Sequence, residues 1–397
     1  MRLRDAGHRV YLVGGVIRDL LLGRPPAPDD DIDLTTDAVP AQMTDLLRGW
    51  SEADAVWTQG ARYGTIGCRV GGRRYEITTH RSEAYLPSSR KPLVEFATDI
   101  EADLSRRDFT VNAMARELPD GELIDPFGGR ADLAEHRLRT PLGPEASFSD
   151  DPLRMVRAAR FAASHGLVPD ADVVAAMTAM ADRLDIVAME RIRTELNRLL
   201  LTSRPSVGLR LLHETGLLHR LVGDRAIDIA GVDAAGPDLI ARLLTLVGLD
   251  GDVRPVLRRW RSSRTEIAAA TAVVDGLRLL ADADRIDDGV IRRAVACADG
   301  HRGVLMAALD GVLPARAAEV RAGVERLAAA GELDDLGPAL DGAEVMAVLG
   351  VSPGPDVGAA MAFLQELRLA EGVLPAEEVG ARLAAWWESR QPGPGSG

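Results

Sequence analysis

The sequence predicts an α+β fold in which a mixed head of strands and helices is followed by an all-helical remainder. Three observations carry this. Up to about Thr140, short apolar segments are cut by Gly, Pro and Asp, the punctuation of strands and tight turns. From Asp150 onward strand signals cease, and Ala, Leu and Arg recur at helical spacing almost to the end. The chain has 397 residues, 46% of them hydrophobic, which is enough for two or three domains and a large buried core.

The strand candidates are Val10–Val13, Ile32–Thr35, Gly64–Val70, Arg74–Thr79 and Gly121–Asp125. Ala41–Trp50 reads as a helix after a cap region at Asp37–Pro40. Ile227–Pro237 reads as a linker, Val351–Pro355 as a turn and Gln391–Gly397 as a disordered tail. No internal repeat is visible.

Composition excludes several classes. No apolar run approaches the roughly 20 residues of a membrane span, and the N-terminus has no apolar signal core. The two cysteines, Cys68 and Cys297, are isolated, which excludes a thiolate cluster and points to a reducing, cytoplasmic setting. The net charge of −13 argues against indiscriminate nucleic-acid binding but leaves a local RNA surface open. Lys91 is the only lysine, so arginine abundance reflects a compositional bias and is not itself a sign of RNA.

Three blocks carry chemistry. In the first, the apolar strand Val10–Val13 runs into Gly14 and Gly15, a helix follows with Arg18 and Asp19, and Asp31-x-Asp33 lies on a second strand. The glycines let backbone N–H groups approach a triphosphate at a helix N-terminus. Carboxylates two apart on a strand share a side, as a pair of divalent metals requires. Each feature alone also fits a tight turn or a solvated strand edge; together they suggest nucleotidyl transfer.

The second block runs Asp103-Leu-Ser-Arg-Arg-Asp-Phe-Thr-Val-Asn112-Ala. Ser105 can cap a helix whose first turn holds Arg106, Arg107 and Asp108. An Arg there holds phosphate and an Asp accepts from a ribose hydroxyl, although a surface capping cluster has the same appearance.

The third block starts at Ser149-Asp150-Asp151-Pro152. Ser149 or Asp150 caps a helix with Pro152 in its first turn. Asp151, Arg154, Arg157 and Arg160 are spaced by three and form a row. A carboxylate acceptor beside a guanidinium donor matches the Watson–Crick edges of cytosine and adenine and opposes those of uracil and guanine. The competing reading is an i,i+3 surface salt bridge between Asp151 and Arg154.

In this order the blocks resemble the class II tRNA nucleotidyltransferase and bacterial poly(A) polymerase family. The match covers the GGxxRD and DxD positions Gly14, Gly15, Arg18, Asp19, Asp31 and Asp33, then Arg106, Arg107, Asp108 and Asn112, then Asp151, Arg154, Arg157 and Arg160. Asp150 departs from the family's usual Glu. Asp125-Pro-Phe-Gly-Gly129 and Glu190-Arg-Ile-Arg-Thr-Glu-Leu196 also fit. The resemblance implies a polymerase-β-like head over residues 1–140 and a helical neck with the nucleobase-reading helix over 141–225. It further implies a helical body and tail that bind RNA over 226–390, before the tail 391–397.

It also implies template-independent addition of C, C and A to tRNA 3′ ends from CTP and ATP. Asp31 and Asp33 would hold two Mg²⁺. Gly14, Gly15, Arg18 and Arg107 would hold the triphosphate, Asp108 and Asn112 the ribose, and Asp151 and Arg154 the base, supported by Arg157 and Arg160. Glu76 is a candidate third carboxylate or a plain strand-surface Glu. The polar loop Arg81–Pro92 looks like the flexible loop of the full CCA and A-adding branch. Poly(A) or A-only addition is the alternative product, and a silent RNA- or nucleotide-binding protein is the alternative class. Arg254, Arg258, Arg259 and Arg261 around Trp260, with Arg264, form the densest basic patch and are candidates for RNA phosphate or a solvated helix face. Arg292, Arg293 and Arg302 are a second candidate. Many relatives carry a phosphohydrolase domain with a His-Asp doublet; here His213-Glu214 reads as part of a buried neck helix, so that activity is not expected. Leu349–Trp387 resembles the tail of longer relatives. The N-terminus reads as short, and whether it keeps the helix that usually precedes the first strand is left open. No membrane and no obligate protein partner is implied.

Overall fold

The computed structural model describes residues 2–27, 30–84, 93–96 and 99–391. The chain divides into two compact units, Met1–Leu199 with Val207–Arg220, and Leu200–Ser206 with Leu221–Gly397.

The first unit contains strands β1 (Val10–Val13), β2 (Ile32–Thr36), β3 (Ala53–Trp57), β4 (Thr65–Val70), β5 (Arg73–Thr79), β6 (Arg81–Ala84), β7 (Leu93–Phe96), β8 (Ala115–Glu117) and β9 (Leu123–Ile124). Seven of them form one sheet in the order β3-β4-β5-β2-β1-β8-β9. Its pairings are antiparallel except β2 with β5, which run parallel. Side chains alternate across a strand. Leu34, Ile66, Cys68 and Ile77 therefore face a core that also takes in Met43 and Leu47, while Asp33, Gly67 and Glu76 occupy the opposite face.

The helices of this unit are α1 (Arg2–Asp5), α2 (Gly15–Leu21), α3 (Pro40–Arg48), α4 (Ile100–Ser105), α5 (Gly129–Ala134), α6 (Pro144–Asp150), α7 (Leu153–His165), α8 (Ala171–Ala179), α9 (Met189–Leu200), α10 (Pro205–Glu214) and α11 (Leu217–Val222). The short α1 precedes the first strand, which settles a point the sequence leaves open.

Several local expectations are corrected. Ser105 does not begin a helix but ends one: the carboxylate of Asp99 accepts from Glu101 N at 3.1 Å and caps α4, and Ser105 Oγ donates to Ala102 O. Arg107 and Asp108 thus follow a helix. Ser149 and Asp150 likewise close α6, and α7 starts at Leu153, whose N–H donates to Asp151 Oδ1 at 3.2 Å. Strand β3 is not anticipated, because Ala and Asp at its first three positions are poor strand formers. Gly121–Asp125 contracts to β9. The Arg81–Pro92 loop begins as β6, which pairs with β7; residues 85–92 lie outside the described residues. His213 and Glu214 are exposed at the end of α10, beside buried Leu211 and Leu212.

Asp125–Gly129 is a local brace. Asp125 accepts from Gly129 N at 2.7 Å and Arg130 N at 2.9 Å, capping α5. Asp132 of α5 then accepts from Thr110 Oγ1 at 2.6 Å and from Arg139. A Cβ at Gly129 would fall 2.1 Å from Thr110 O. The variant Gly129→Ala is expected to destabilise the first unit by about 3 kcal/mol, because backbone must shift. Denaturant unfolding checks this, and an unchanged midpoint would contradict the packing described.

The second unit consists of α12 (Leu239–Val247), α13 (Arg254–Arg259), α14 (Arg264–Asp282), α15 (Asp288–Cys297), α16 (Arg302–Val312), α17 (Ala317–Ala329), α18 (Gly342–Leu349), α19 (Pro355–Glu371) and α20 (Ala376–Arg390). Ser263, Asp287 and Asp341 cap α14, α15 and α18 through their side chains. The segment expected as a linker is instead packed: Val232 is fully buried, and Asp233 accepts from Ser206 N at 2.9 Å. Arg292 is also corrected. It is buried, bonded to Glu332 at 3.0 Å and to the carbonyls of Leu369 and Ala370, so it ties helices together rather than facing RNA. Arg293 pairs with Glu366. Of the expected tail only Gln391 is described. Among the described residues no helix is long and apolar enough to cross a membrane.

Candidate active site

The site is built on the first unit, where β1 hands over to α2. Gly14 sits at φ 72 and ψ −139, a backbone conformation that glycine adopts without penalty. It is also a point of close approach: a Cβ there would lie 3.0 Å from Arg107 Nη1 and 4.0 Å from Asp33 Oδ2. Gly14 thus brings together the first block, the acidic strand and the second block. A Cβ on Gly15 would meet Arg18 Nη2 at 3.3 Å.

The acidic face is set by register. Asp33 of β2 pairs with Glu76 of β5, so both carboxylates point the same way. Asp31 is bonded to Arg74 Nε at 2.8 Å, and both are exposed. Desolvation raises the Asp33 carboxyl pKa; Arg107 opposes this and Asp31 adds to it. Glu76 is raised by desolvation and by the charges of Asp33 and Asp31, with Arg74 opposing. Three like charges on one face disfavour ionisation in the absence of a cation. Among the described residues, no three Asp, Glu, His or Cys side chains converge closely enough to cage an ion by themselves. Glu76 is therefore a neighbour of the acidic pair rather than part of a closed cage.

Arg107 donates to Asp103 at 3.0 Å, and its buried Nε has no partner among the described residues. Arg18 departs from its expected posture. Its guanidinium is buried, forked onto Asp19 at 2.9 Å, and donates to Asn112 Oδ1 at 2.8 Å. Asn112 Nδ2 in turn donates to Asp108 Oδ1 at 3.0 Å.

Asp108 accepts from Arg157 through Nε at 2.9 Å and Nη2 at 2.5 Å. Burial alone would raise its carboxyl pKa, but the Arg157 charge and the bonds from Asn112 and Arg157 outweigh it and hold it down to about 2. Arg157 continues to Glu195 at 3.1 Å, and Arg160 reaches the other oxygen of Glu195 at 2.6 Å. The Phe161 ring lies within 4.3–5.6 Å of the guanidinium carbons of Arg18, Arg157 and Arg160. Glu195 is absent from the sequence-derived set. Its signal was present: it falls on the apolar face of α9 with Ile192 and Leu199, where a charge needs a partner.

Asp151 and Arg154 do not form the i,i+3 salt bridge with each other. Asp151 Oδ2 accepts from Arg191 at 2.7 Å. Arg154 donates to Ser147 Oγ at 2.9 Å and to Arg106 O at 2.5 Å. Carboxylate and guanidinium stand in neighbouring positions with different protein partners.

In the second unit, Arg254, Arg258, Arg259, Arg261 and Arg264 are exposed around a buried Trp260, whose Nε1 donates to Leu221 O at 3.0 Å. Arg254 is bonded to Asp252 at 2.8 Å. Arg254, Arg258 and Arg264 also line a groove that includes Asp275 and Asp299, so the patch is mixed in charge.

Comparison with known proteins agrees with this geometry. A "Poly A polymerase head domain" family matches residues 10–139, and a "Probable RNA and SrmB- binding site of polymerase A" family matches 166–224. A CCA-adding enzyme of Limosilactobacillus fermentum is 31% identical over 392 residues, covering 94% of this chain and 91% of the relative. The chain belongs to the CCA-adding enzyme family. A CCA-adding enzyme of Levilactobacillus brevis is 35% identical, covering 67% of this chain and 68% of the relative. The crystal structure of the Bacillus stearothermophilus CCA-adding enzyme in complex with CTP superposes with a TM-score of 0.76 at 28% identity, covering 98% of this chain and 96% of that one. Membership makes the chain a nucleotidyltransferase, and the similarity of the solved structure extends over both units.

Proposed function

We propose that this CCA-adding enzyme family member extends tRNA 3′ ends by C, C and A from CTP and ATP, with Asp31 and Asp33 holding Mg²⁺. The observation that carries the reading is the meeting of Gly14, Arg107 and Asp33 within a few ångströms beside the base-reading pair. Carboxylate oxygens are the donors a hard divalent cation prefers, and the open side of the pair leaves coordination positions for triphosphate oxygens. When bound, two such ions supply Lewis-acid activation of the RNA 3′-hydroxyl and neutralise charge on the transferred phosphate and pyrophosphate.

The chain's own residues do the rest. The Gly14–Gly15 backbone lets phosphate oxygens approach α2 closely. Arg107 donates to the triphosphate from beside Gly14. Asp108, kept ionised by Arg157, accepts from the ribose, and Asn112 aligns it. Arg18 acts from behind by fixing Asn112. Asp151 accepts from the exocyclic amine of cytosine or adenine while Arg154 donates to the ring nitrogen, so no nucleic-acid template is needed. RNA of A-form shape suits recognition by backbone and minor groove, with Arg254, Arg258, Arg259 and Arg261 available for phosphate. Free, unpaired Cys68 and Cys297 fit a reducing cytoplasm.

The test supplies a tRNA transcript ending before CCA, with Mg²⁺ and CTP, ATP or both, and maps the added nucleotides. Addition of C-C-A followed by a stop is expected; a run of A alone would replace this reading with A-addition. In the same assay Asp151→Ala combined with Arg154→Ala is expected to reduce discrimination of CTP over UTP by on the order of 10–100-fold, because the carboxylate that would face the uracil oxygen is gone. Full exclusion of UTP and GTP by the double variant would contradict the base-reading role.

A further inference from the structure

The face of the sheet that bears the carboxylates also carries one large side chain with no part in the chemistry above. Trp57 closes β3 and pairs in register with Gly67 of β4; Gly67 pairs with Glu76 of β5, and Glu76 with Asp33 of β2. Directly paired residues share a face, so Trp57, Gly67, Glu76 and Asp33 form one row across four strands. The neighbours agree: Val56, Ile66 and Cys68, which alternate with this row, pack into the core behind the sheet.

Gly67 has no side chain, and the indole lies across it. A Cβ at Gly67 would fall 2.0 Å from Trp57 Nε1 and 2.1 Å from Cε2. The ring therefore sits one strand from Glu76 and two from Asp33, roughly 5 and 10 Å away at the usual strand spacing. Trp57 is only half-buried, so part of the ring is open to solvent. The turn between β3 and β4 adds an exposed Tyr63, with the Arg62 guanidinium 4.5 Å from its ring centroid.

We infer that the Trp57 indole is the stacking platform for the 3′-terminal nucleobase of the RNA, an inference that rests on the proposed function. The attacking 3′-hydroxyl must reach the phosphate held at Asp31 and Asp33. Its own base then lies within the length of one nucleoside of those carboxylates, which is where the indole lies. That base changes with every addition, so its contact has to accept any base. Stacking on an aromatic face does so, because every base has a π-face. The incoming nucleotide is read by hydrogen bonds at Asp151 and Arg154; the RNA end is held by a surface blind to sequence.

The test compares tRNA transcripts carrying a natural or an abasic 3′-terminal nucleotide, both with a free 3′-hydroxyl. Trp57→Leu, which still covers Gly67 but has no flat ring, is expected to raise KM for tRNA on the order of 10-fold. The Kd for CTP without RNA stays unchanged, and Trp57→Phe recovers most of the loss. The abasic end weakens the wild-type protein by a similar factor but Trp57→Leu by less than about twofold, the signature of two changes removing one contact. Gly67→Ala, which drives the indole off the strand, reproduces Trp57→Leu. An unchanged KM for tRNA in Trp57→Leu, or an equal abasic penalty in both proteins, overturns the inference while leaving the proposed function standing. A wild-type protein that extends no tRNA overturns both.

Discussion

Replacing Asp33 with Ala is expected to abolish incorporation of CTP and ATP alike, by on the order of 10³-fold or more, without unfolding the protein. The carboxylate is exposed on the sheet face, so its removal leaves no buried hole. What is lost is half of the acidic pair on which phosphate activation depends. Asp31 cannot substitute, because it is already the other half of the pair and one carboxylate cannot supply the oxygens of two. The loss is expected to be common to both nucleotides because the proposed base contacts, Asp151 and Arg154, lie outside this sheet face. Activity in the wild type also falls with pH from the acid side. The Asp33 and Glu76 carboxyl groups ionise later than usual, so protons compete with the cation over a higher pH range than for free carboxylates. Raising the divalent ion concentration should move that limb to lower pH. Single-turnover incorporation with a matched circular dichroism spectrum is the decisive pair of measurements, and turnover by Asp33→Ala within tenfold of wild type would remove Asp33 from the metal site.

Glu195→Ala is expected to produce the largest loss of stability, about 3–5 kcal/mol, with Tm lowered by about 10 °C. The interior around Phe161 holds Arg18, Arg157 and Arg160 against Asp19, Asp108 and Glu195. Removing Glu195 takes the carboxylate from Arg160 and leaves Arg157 with Asp108 alone, in a place only partly open to water. Glu195→Gln keeps the shape and loses only the charge, so it should fall between the two. Activity drops with stability because Arg157 also fixes Asp108. Acid reports on the same network. The folded Asp108 carboxyl is held down to about 2, below its value of about 4 in an unfolded chain. Its contribution, about 2 kcal/mol, is complete above that unfolded value and is lost as pH falls through the folded one. Wild type should lose this increment between about pH 4 and 2, whereas Asp108→Asn should already lack it at neutral pH. Urea titrations across that range measure the difference, and parallel curves for the two proteins would refute it.

The sequence revealed the positions of the chemistry better than their supports. Strand β1, the two glycines and the Asp31-x-Asp33 strand were legible because apolar runs and special residues lie within a few positions of each other. The register that sets Glu76 beside Asp33 was not, since parallel pairing joins segments more than forty residues apart. Helix boundaries failed where two residues competed to cap: Ser105 looked like a start, but Asp99 had already taken that role. The i,i+3 reading of Asp151 and Arg154 failed because Arg191, distant in sequence, takes the carboxylate and Ser147, at the end of the preceding helix, takes the guanidinium. The partners of Glu195 were harder to read than its place on the apolar face, as its two nearest arginines, Arg157 and Arg160, lie on another helix.

The parallel pairing of β2 with β5 and the relay from Asp108 through Arg157 to Glu195 impose an order of assembly on a chain made from its N-terminus. A nascent chain of 150 residues already contains every carboxylate and phosphate-facing arginine of the head. Its Asp108 nevertheless has no Arg157, and an Arg157 just synthesised still waits for Glu195. The brace on Asp108 is thus complete only once α9 has been made, and a head truncated before α9 is expected to bind nucleotide more weakly than the full chain.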